Sequence, residues 1–279
     1  MVSRPKRRWG LIVWTKPLCI RKSGFYMRLR FLYRAFKARY HDQRHEIRAV
    51  LSRLPPGTVA VDVGANKGAY LYWLRCTVGG AGKVFAYEPQ PRLAQYLQSV
   101  CAVMKWRNVI VRDCALSDWT GISTLYVPGR SESPGASLER AVVETTLSHS
   151  YKCVVDTLDH QLLGIDRVDF LKVDVEGHEL QVFRGASQIL SRDAPAILFE
   201  CETRFLRRHT IQDVFGYLQD FCYDGAFVSP KGLRPLAEFD PAIHQRNDSE
   251  RFWDAPGYCS NFLFTAQARR ADYSECRPS

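Results

Sequence analysis

Beyond residue 56, short apolar runs alternate with longer segments in which apolar residues recur at helical spacing. The apolar runs have the length and the β-branched or aromatic content typical of buried strands. They cover Val59–Val63, Lys83–Tyr87, Val109–Arg112, Val168–Val173, Ala196–Glu200, Gly225–Val228 and Phe262–Thr265. Helices are predicted at Gly68–Cys76, Pro91–Met104, Leu180–Leu190 and Thr210–Phe221. The alternation predicts an α/β fold with a mostly parallel, twisted sheet and helices on both faces.

Three segments depart from this alternation. Residues 24–54 place apolar side chains at helical spacing among arginines and lysines, so residues 1–56 are predicted to form a basic helical arm. Residues 57–268 would then form the main domain, and residues 269–279 a polar C-terminal tail. An insertion at about residues 117–160 lies between two predicted sheet strands. Insertions of this length are usually functional or disordered.

Composition favours a cytoplasmic protein. The nine cysteines lie at irregular spacing without a C-x-x-C pair, which predicts reduced thiols and no zinc knuckle. No stretch reaches the roughly 20 apolar residues of a membrane-spanning helix. The apolar run Trp9–Trp14 follows a basic segment, but it is too short for a signal peptide.

A glycine-rich turn follows the first predicted strand, in the sequence VAVDVGANKG at residues 59–68. Glycine tolerates positive φ and allows a ligand to approach the backbone. The turn has G-x-x-x-G spacing, whereas dinucleotide enzymes use G-x-G-x-x-G to wrap a pyrophosphate. Preceded by Asp62, it suits a smaller ligand with both an ammonium and a carboxylate. The methionine part of S-adenosylmethionine has both groups.

Two further strand ends add candidate ligands. Glu88 ends the second strand about twenty residues after the turn, the spacing at which an acid reaches ribose hydroxyls. Glu88 could equally cap the helix that begins near Pro91. Asp113 and Ala115 follow the third strand and are weaker candidates beside the adenine, because an aspartate in a polar turn is more often structural.

A second group of ionisable residues follows the strand that ends at Val173. Asp174, Glu176, His178 and Glu179 lie at its carboxyl end, the edge of an open parallel sheet where ligands bind. Acids that are desolvated there can serve as bases.

These motifs, in this order, resemble those of the FkbM-type methyltransferases. The matching segments are VDVGANKG (61–68), YEP (87–89), CALSD (114–118), LKVDVEGHE (171–179) and FRGA (183–186). The resemblance spans residues 57–228 and implies a Rossmann-like methyltransferase fold with S-adenosyl-L-methionine as methyl donor. It also implies O-methylation of a hydroxyl on a small metabolite, sugar or polyketide.

The predicted site follows from these matches. By position, Asp62, Gly64, Asn66 and Gly68 would contact the methionine end of the donor, and Glu88 its ribose. The full set of predicted donor contacts is Asp62, Gly64, Ala65, Asn66, Gly68, Tyr70, Glu88, Pro89, Asp113, Ala115 and Asp174. Leu71 departs from the family, which often has Ser or Thr there.

The predicted catalytic residues are Asp174, Glu176 and His178. In-line methyl transfer to oxygen needs a base, and Asp174 is the stronger candidate. His178 is an alternative base, and a surface position capping the next helix is the more frequent role of such a histidine. Glu176 could equally have a structural role, in which its negative charge stabilises the positive N-terminal end of the following helix. No metal is expected.

The basic arm leaves three roles open. It could bind nucleic acid, lie on an anionic membrane as a peripheral contact, or pack against the main domain. A nucleic-acid methyltransferase is disfavoured, because the N/D-P-P-Y/F loop of base-methylating enzymes is replaced by Asp174-Val175-Glu176-Gly177. A non-catalytic binding protein is disfavoured by the intact Gly64, Gly68 and Glu88.

Overall fold

The computed structural model describes residues 18–143, 147–248, 251–255 and 257–267. Its strands, in chain order, are β1 Val59–Val63, β2 Lys83–Tyr87, β3 Val109–Arg112, β4 Ala115–Leu116, β5 Gly121–Pro128, β6 Ser148–Asp156, β7 Phe170–Val173, β8 Ala196–Glu200, β9 Tyr223–Ser229, β10 Gly232–Pro235 and β11 Asn261–Ala266. The α-helices are α1 Leu18–Lys37, α2 Arg44–Leu51, α3 Ala69–Val78, α4 Pro91–Met104, α5 Leu158–Gln161, α6 Glu179–Arg184, α7 Ser187–Asp193, α8 Ile211–Gln219 and α9 Pro241–His244. A π-helical segment, Ala38–Asp42, joins α1 to α2.

Eight strands form one sheet in the order β10-β9-β11-β8-β7-β1-β2-β3. The run from β8 to β3 is parallel, and β11 is antiparallel to both β8 and β9. From β1 the chain moves outward to β2 and β3, and it then returns to add β7 and β8 on the other side of β1. The strand order therefore reverses between β1 and β7, which is where open α/β sheets bind ligands. The predicted Rossmann-like α/β fold is confirmed.

The sheet separates two apolar clusters, because alternate side chains of each strand point to opposite faces. On one face Val61, Leu171 and Phe199 pack under α6 to α8. On the other face, Ala60 and Leu198 belong to the cluster that includes α3 and α4. The same alternation places Asp62 and Lys172 on the second face, where they are neighbours in register on β1 and β7.

One face of the arm is part of this core. Phe31 on α1 is fully buried, and the Trp73 side chain of α3 donates a 2.8 Å hydrogen bond to the Ala35 carbonyl. Arg34 donates to the Tyr96 hydroxyl of α4 at 3.3 Å. Packing against the main domain is thus one role of the arm.

The insertion forms a second sheet, in the order β4-β6-β5. Strands β5 and β6 pair along their length as an antiparallel hairpin. The insertion therefore forms regular strands where it is described.

The predicted helix at Leu180–Leu190 is divided into α6 and α7. A Cβ on Gly185 would lie 1.9 Å from the Ser117 carbonyl oxygen, so the chain passes close to the end of β4 at this point. The side chain of Asp159 then accepts hydrogen bonds from the amides of Gln188 and Ile189. These contacts satisfy the free amides at the start of a new helix.

None of the helices described is both long enough and apolar enough to cross a bilayer. Within the described part of the chain, free thiols are found at Cys76, Cys101, Cys114, Cys153, Cys201 and Cys259. Cys222 is disulfide-bonded, so the expectation of reduced thiols is wrong at this position. A cytoplasmic location stays a prediction. The predicted polar tail, residues 269–279, lies outside the described residues.

Candidate active site

The glycine-rich turn leaves β1 in a conformation that only glycine adopts easily. Gly64 has φ +76°, and a Cβ there would lie 1.8 Å from the Asp174 carbonyl oxygen. The amides of Gly64 and Ala65 both donate to the Tyr87 carbonyl at the end of β2, at 3.0 Å. The turn is therefore held against the ends of both neighbouring strands, β2 and β7.

Glu88 joins the turn to the end of β2. Its side chain is 2% exposed, and its Oε2 accepts a 2.7 Å hydrogen bond from the Asn66 amide. Its Oε1 accepts from the Gln90 amide at 2.9 Å, which caps α4. Burial raises the pKa of Glu88 to about 7, although both hydrogen bonds oppose the shift. Glu88 thus has the predicted helix-capping contact and also lines the cavity described below.

A buried lysine lies beneath the turn. Lys172 is 4% exposed, and its Nζ lies 2.8 Å from Asp174 Oδ2 and 5.0 Å from the centre of the Tyr70 ring. Its register partner Asp62 is 1% exposed, and neither carboxyl oxygen of Asp62 has a hydrogen bond within the described structure. Burial raises the pKa of Asp62 to about 6, against the attraction of Lys172. One lysine therefore faces two carboxyl groups at the end of β1 and β7.

Acidic side chains from β7 and β8 form one wall of the site. Glu176 has a left-handed φ of +53°, a strained conformation for a residue with a side chain. Burial, with the nearby Asp174 charge, raises the pKa of Glu176 well above its ordinary value. Burial and Asp174 also raise the pKa of Glu200 to about 8. Glu202 is bound by Arg204, whose Nε donates at 2.7 Å and Nη2 at 2.9 Å.

His178 is buried, not a surface residue capping the next helix. It is 6% exposed and makes no side-chain cap to α6. Its Nε2 lies 2.9 Å from the Ser117 hydroxyl, and its Nδ1 lies 3.3 Å from Glu139 Oε1. Both ring nitrogens therefore face groups of the protein, and the interpretation of His178 as a surface cap is wrong.

These elements enclose a cavity of about 340 Å³ at the carboxyl edge of the sheet. Its lining is acidic on the side of β7 and β8, with Asp174, Glu176, Glu200 and Glu202. On the side of β2 and β4 the lining is mostly apolar, with Pro89, Cys114, Ala115, Leu116, Leu125 and Leu138. An aromatic base suits the apolar side and a cationic group suits the acidic side.

The insertion contributes a cover to this cavity. The side chain of Gln90 both donates to the Ser133 carbonyl and accepts from the Ser133 amide, each at 3.0 Å. The buried Ser137 hydroxyl donates to the Glu176 carbonyl at 2.9 Å. Pro134, Ala136, Ser137 and Leu138 line the cavity between and beside these contacts. The cover is thus attached to both the apolar and the acidic side.

A comparison with protein-family models matches residues 62–224 to the methyltransferase FkbM domain. The matched segment contains the glycine turn, Glu88 and the acidic residues of both β7 and β8. The protein belongs to this family. The matched domain is a methyltransferase domain. S-adenosyl-L-methionine as its methyl donor stays a prediction.

Curated relatives of this FkbM-family protein match over about half of the chain. It is 29% identical over 166 residues to the AMB antimetabolite synthetase AmbE of Pseudomonas aeruginosa, covering 47% of this chain and 8% of AmbE. It is also 29% identical over 174 residues to the methyltransferase sdnD of Sordaria araneosa, covering 50% of this chain and 64% of sdnD. The chain thus spans less than two thirds of either relative.

Among solved structures, the protein is similar to a methyltransferase FkbM from Methylobacillus flagellatus. The sequence identity is 18%, the TM-score is 0.46, and the match covers 75% of this chain and 43% of that one. A TM-score this low does not establish a fold, so the fold class depends on the strand order given above.

The residues present fit a donor of this kind. Gly64 keeps the turn open, the carboxyl oxygens of Asp62 are buried without a hydrogen bond in the described structure, and Glu88 lies at the next strand end. The acidic side of the cavity suits the positive charge of a sulfonium. In the described residues no cluster of three or more His, Cys, Asp or Glu could hold a metal ion. A reaction without metal stays a prediction.

The structure brings eight of the predicted site residues to the cavity wall. They are Gly64, Asn66, Glu88, Pro89, Ala115, Asp174, Glu176 and His178. The cavity lining does not include Asp62, Ala65, Gly68, Tyr70 and Asp113. Asp62 and Tyr70 instead surround Lys172, and Asp113 is exposed to solvent.

Sequence reasoning missed several cavity residues. Glu200 ends a correctly predicted strand and Glu202 follows it, so the strand-end argument applied to Asp174 could have found them. Lys172 lies inside a quoted motif, but its role depends on the register of β7 against β1. Gln43, Arg204 and Trp253 come from segments with no recognisable motif.

Proposed function

We propose that this FkbM-family protein uses S-adenosyl-L-methionine to methylate a hydroxyl group of a small metabolite, sugar or polyketide. One observation supports this most: the glycine turn, Glu88 and four acidic residues of β7 and β8 line a single covered cavity. The cavity volume of about 340 Å³ and the attached cover favour a small acceptor. AmbE is named an antimetabolite synthetase, which agrees with a small-metabolite acceptor.

We assign donor binding to the turn and the ends of β2 and β4. Gly64 and Asn66 would contact the methionine part, and Glu88 the ribose hydroxyls. Ala115 with its apolar neighbours would contact the adenine. Asp174 is oriented by Lys172 at 2.8 Å and lies against Gly64, so it suits the ammonium of the methionine part.

The proton acceptor in this proposal is Glu176. Asp174 is already paired with Lys172, whereas Glu176 lines the cavity with its pKa raised well above the ordinary value by burial. A carboxylate whose pKa is raised toward the working pH is a better general base. When bound, the donor supplies a methyl group on a positively charged sulfur. That charge favours the ionised form of Glu176, which can then take the proton of the acceptor hydroxyl.

The remaining groups position and protect the reactants. Asp174, together with Glu176 once it is ionised, places negative charge beside the sulfonium. The cover formed by residues 133–138 limits the access of water. His178 is held by Ser117 and Glu139, so we assign it a positioning role.

The test is incubation of the protein with methyl-labelled S-adenosylmethionine and a panel of hydroxylated metabolites, sugars and polyketides. We expect a labelled O-methyl product and one S-adenosylhomocysteine for each methyl transferred. A panel of amines and of RNA is the matched comparison. Labelling of the amines or the RNA, with the hydroxylated panel unlabelled, would contradict O-methylation.

A further inference from the structure

The arm has a second apolar face that is mostly exposed and contacts the main domain only at its end, where Phe36 and Tyr40 meet Trp73. At 3.6 residues per turn, Phe31, Ala35 and Ala38 lie on one side of the helical arm, and all three are buried. The opposite side has a stripe of exposed apolar residues at three- and four-residue steps. This arm stripe consists of Phe25, Tyr26, Leu29, Tyr33, Phe36 and Tyr40.

The arm stripe is exposed to a degree unusual for aromatic residues. Tyr26 is 70% exposed, Tyr33 67% and Phe25 60%. Phe36 is anchored at its inner edge by Trp73, with ring centres 5.2 Å apart, and Tyr40 stacks on Phe36 at 6.0 Å. Contiguous exposed apolar surface of this kind marks an interaction site.

Basic residues border the arm stripe on both sides. By the same helical geometry, Arg28 and Arg39 lie along one border, and Arg30 and Lys37 along the other. No Asp or Glu occurs before Asp42, whereas twelve of the chain's 39 basic residues do. The rest of the chain has 27 basic and 29 acidic residues, so the positive charge of the protein belongs to the arm.

We propose that the arm stripe docks onto the surface of an anionic lipid bilayer. An interfacial helix buries an apolar face at the boundary between headgroups and acyl chains, and its tyrosines suit that boundary. Arginine and lysine stems on both borders can extend to the lipid phosphates. The arm stripe has both features along its length, namely an aromatic centre that can enter the bilayer boundary and basic borders that can reach the phosphates.

Two other partners fit less well. The phosphates of a nucleic-acid duplex would pair with the basic borders, but they would leave the apolar centre of the stripe without a partner. A second copy of this chain would bring two sets of basic borders together, which is unfavourable. Asp42, the first acid of the arm, is already paired with Lys37. An anionic bilayer would bury the apolar centre of the stripe and pair its basic borders with lipid phosphates.

Docking would also hold the cavity near the membrane. The π-helical segment ends at Asp42, and the next residue, Gln43, lines the cavity. The proposal itself does not require the O-methylation argued above, so either can fail alone.

The test is cosedimentation of the full chain with vesicles of phosphatidylcholine alone and with about 30% phosphatidylserine, at roughly 0.15 M salt. We expect binding to the anionic vesicles and much weaker binding to the neutral ones. The triple variant F25A/L29A/Y33A should reduce binding at least tenfold. Its control, I122A/L163A/I243A, removes three residues that are equally exposed elsewhere, and it should bind like the wild type.

A second pair of variants tests the charge. R28Q/R30Q should weaken vesicle binding by roughly 30-fold, from about one kcal/mol per basic residue near an anionic surface. R107Q/R130Q, which removes exposed arginines outside the arm, should have little effect. For each variant, an unchanged rise in melting temperature with S-adenosylhomocysteine shows that the fold is intact.

Three outcomes would overturn the proposal. One is equal binding of wild type and F25A/L29A/Y33A to anionic vesicles. Another is absence of vesicle binding together with salt-sensitive binding to RNA that R28Q/R30Q removes. The third is absence of vesicle binding together with a concentration-dependent dimer that F25A/L29A/Y33A dissociates.

Discussion

A Cβ atom on Gly68 would lie 2.8 Å from Cε2 of Phe31, so the arm packs directly on the glycine that begins α3. Gly68 has φ +78°, and the same Cβ would also lie 2.8 Å from Leu97 Cδ2. The glycine-rich turn and the arm therefore share one packing contact, although they are separated by a proline-rich break in the sequence.

This contact predicts that changes in the arm alter the glycine-rich turn and the proposed donor site. Phe31→Ala should lower the free energy of unfolding by about 3–5 kcal/mol, because it removes a fully buried ring. It should also weaken binding of S-adenosylhomocysteine. Urea unfolding and calorimetric titration measure the two effects, with Tyr33→Ala as the control on the exposed side of α1. Unchanged stability and affinity in Phe31→Ala would show that the arm is independent of the turn.

A second prediction concerns Glu88. Its two oxygens accept hydrogen bonds from the amides of Asn66 and Gln90, and a glutamine can accept only one of them. Glu88→Gln should lower the free energy of unfolding by about 1–3 kcal/mol through the unpaired amide. It should also raise the dissociation constant of S-adenosylhomocysteine about tenfold, through loss of a charged acceptor for the ribose. An unchanged dissociation constant would leave Glu88 with the helix-capping role alone.

Sequence reasoning correctly predicted those strands and helices whose bounds depend only on the residues within and next to them. The bounds of β1, β2, β3, β8 and α4 agree with the prediction, because apolar runs there are closed by glycine, proline or a charge. The strand-end argument also brought Gly64, Glu88 and Asp174 together correctly, since it needs only the parallel order of the strands.

The parts that were missed depend on contacts between distant segments. His178 is buried because Ser117, 61 residues earlier, reaches its Nε2. Lys172 gains its role from Asp62 on the neighbouring strand, and the cover on the cavity depends on Gln90 holding Ser133. None of these pairs has a sequence pattern that distinguishes it from a polar surface residue, so the structure was needed to find them.

The acidic wall predicts how stability changes with pH. Burial and the Asp174 charge raise the pKa of Glu200 from an ordinary 4.5 to about 8 in the folded state. The folded protein therefore retains a proton that the unfolded chain loses near pH 4.5. This stabilisation is present at low pH and is lost as the pH rises through about 8.

In the absence of donor, the melting temperature should therefore decline between pH 5 and pH 8.5. Glu200→Gln stays neutral, so it should be more stable than the wild type at the upper end and show a weaker decline. Glu238→Gln, at a glutamate whose side chain is 47% exposed, is the control. A steeper decline in Glu200→Gln than in the wild type would contradict the assigned shift.

His178 is predicted to position and not to accept the proton. Its Nε2 faces the Ser117 hydroxyl at 2.9 Å, and its Nδ1 faces Glu139 at 3.3 Å. His178→Gln should therefore lower kcat less than about tenfold while raising KM, and Ser117→Ala should produce a similar change. Steady-state kinetics on both variants give the two constants. A loss of kcat by a thousandfold in His178→Gln alone would instead assign the base to His178.

The assignment of the base to Glu176 makes the sharpest prediction, because Asp174 and Glu176 lie two residues apart in one turn. Glu176→Gln should lower kcat by about 10²–10⁴-fold, the usual contribution of a general base. Its affinity for S-adenosylhomocysteine should stay within about threefold, since only the acceptor proton is affected. Asp174→Asn should show the opposite pattern, because loss of the charged partner of Lys172 weakens donor binding about tenfold or more.

Titration with S-adenosylhomocysteine and steady-state turnover separate these two patterns, and Asp248→Asn at an exposed aspartate is the control. The desolvated acid of Glu176 reduces stability, and glutamine removes that acid while keeping the left-handed φ. Glu176→Gln should therefore melt at a higher temperature than the wild type at pH 8. An inactive variant that is also more stable is the combination expected of a catalytic residue, whereas a structural residue would lose activity and stability together. Near-normal turnover in Glu176→Gln, with turnover lost in Asp174→Asn at saturating donor, would move the base to Asp174.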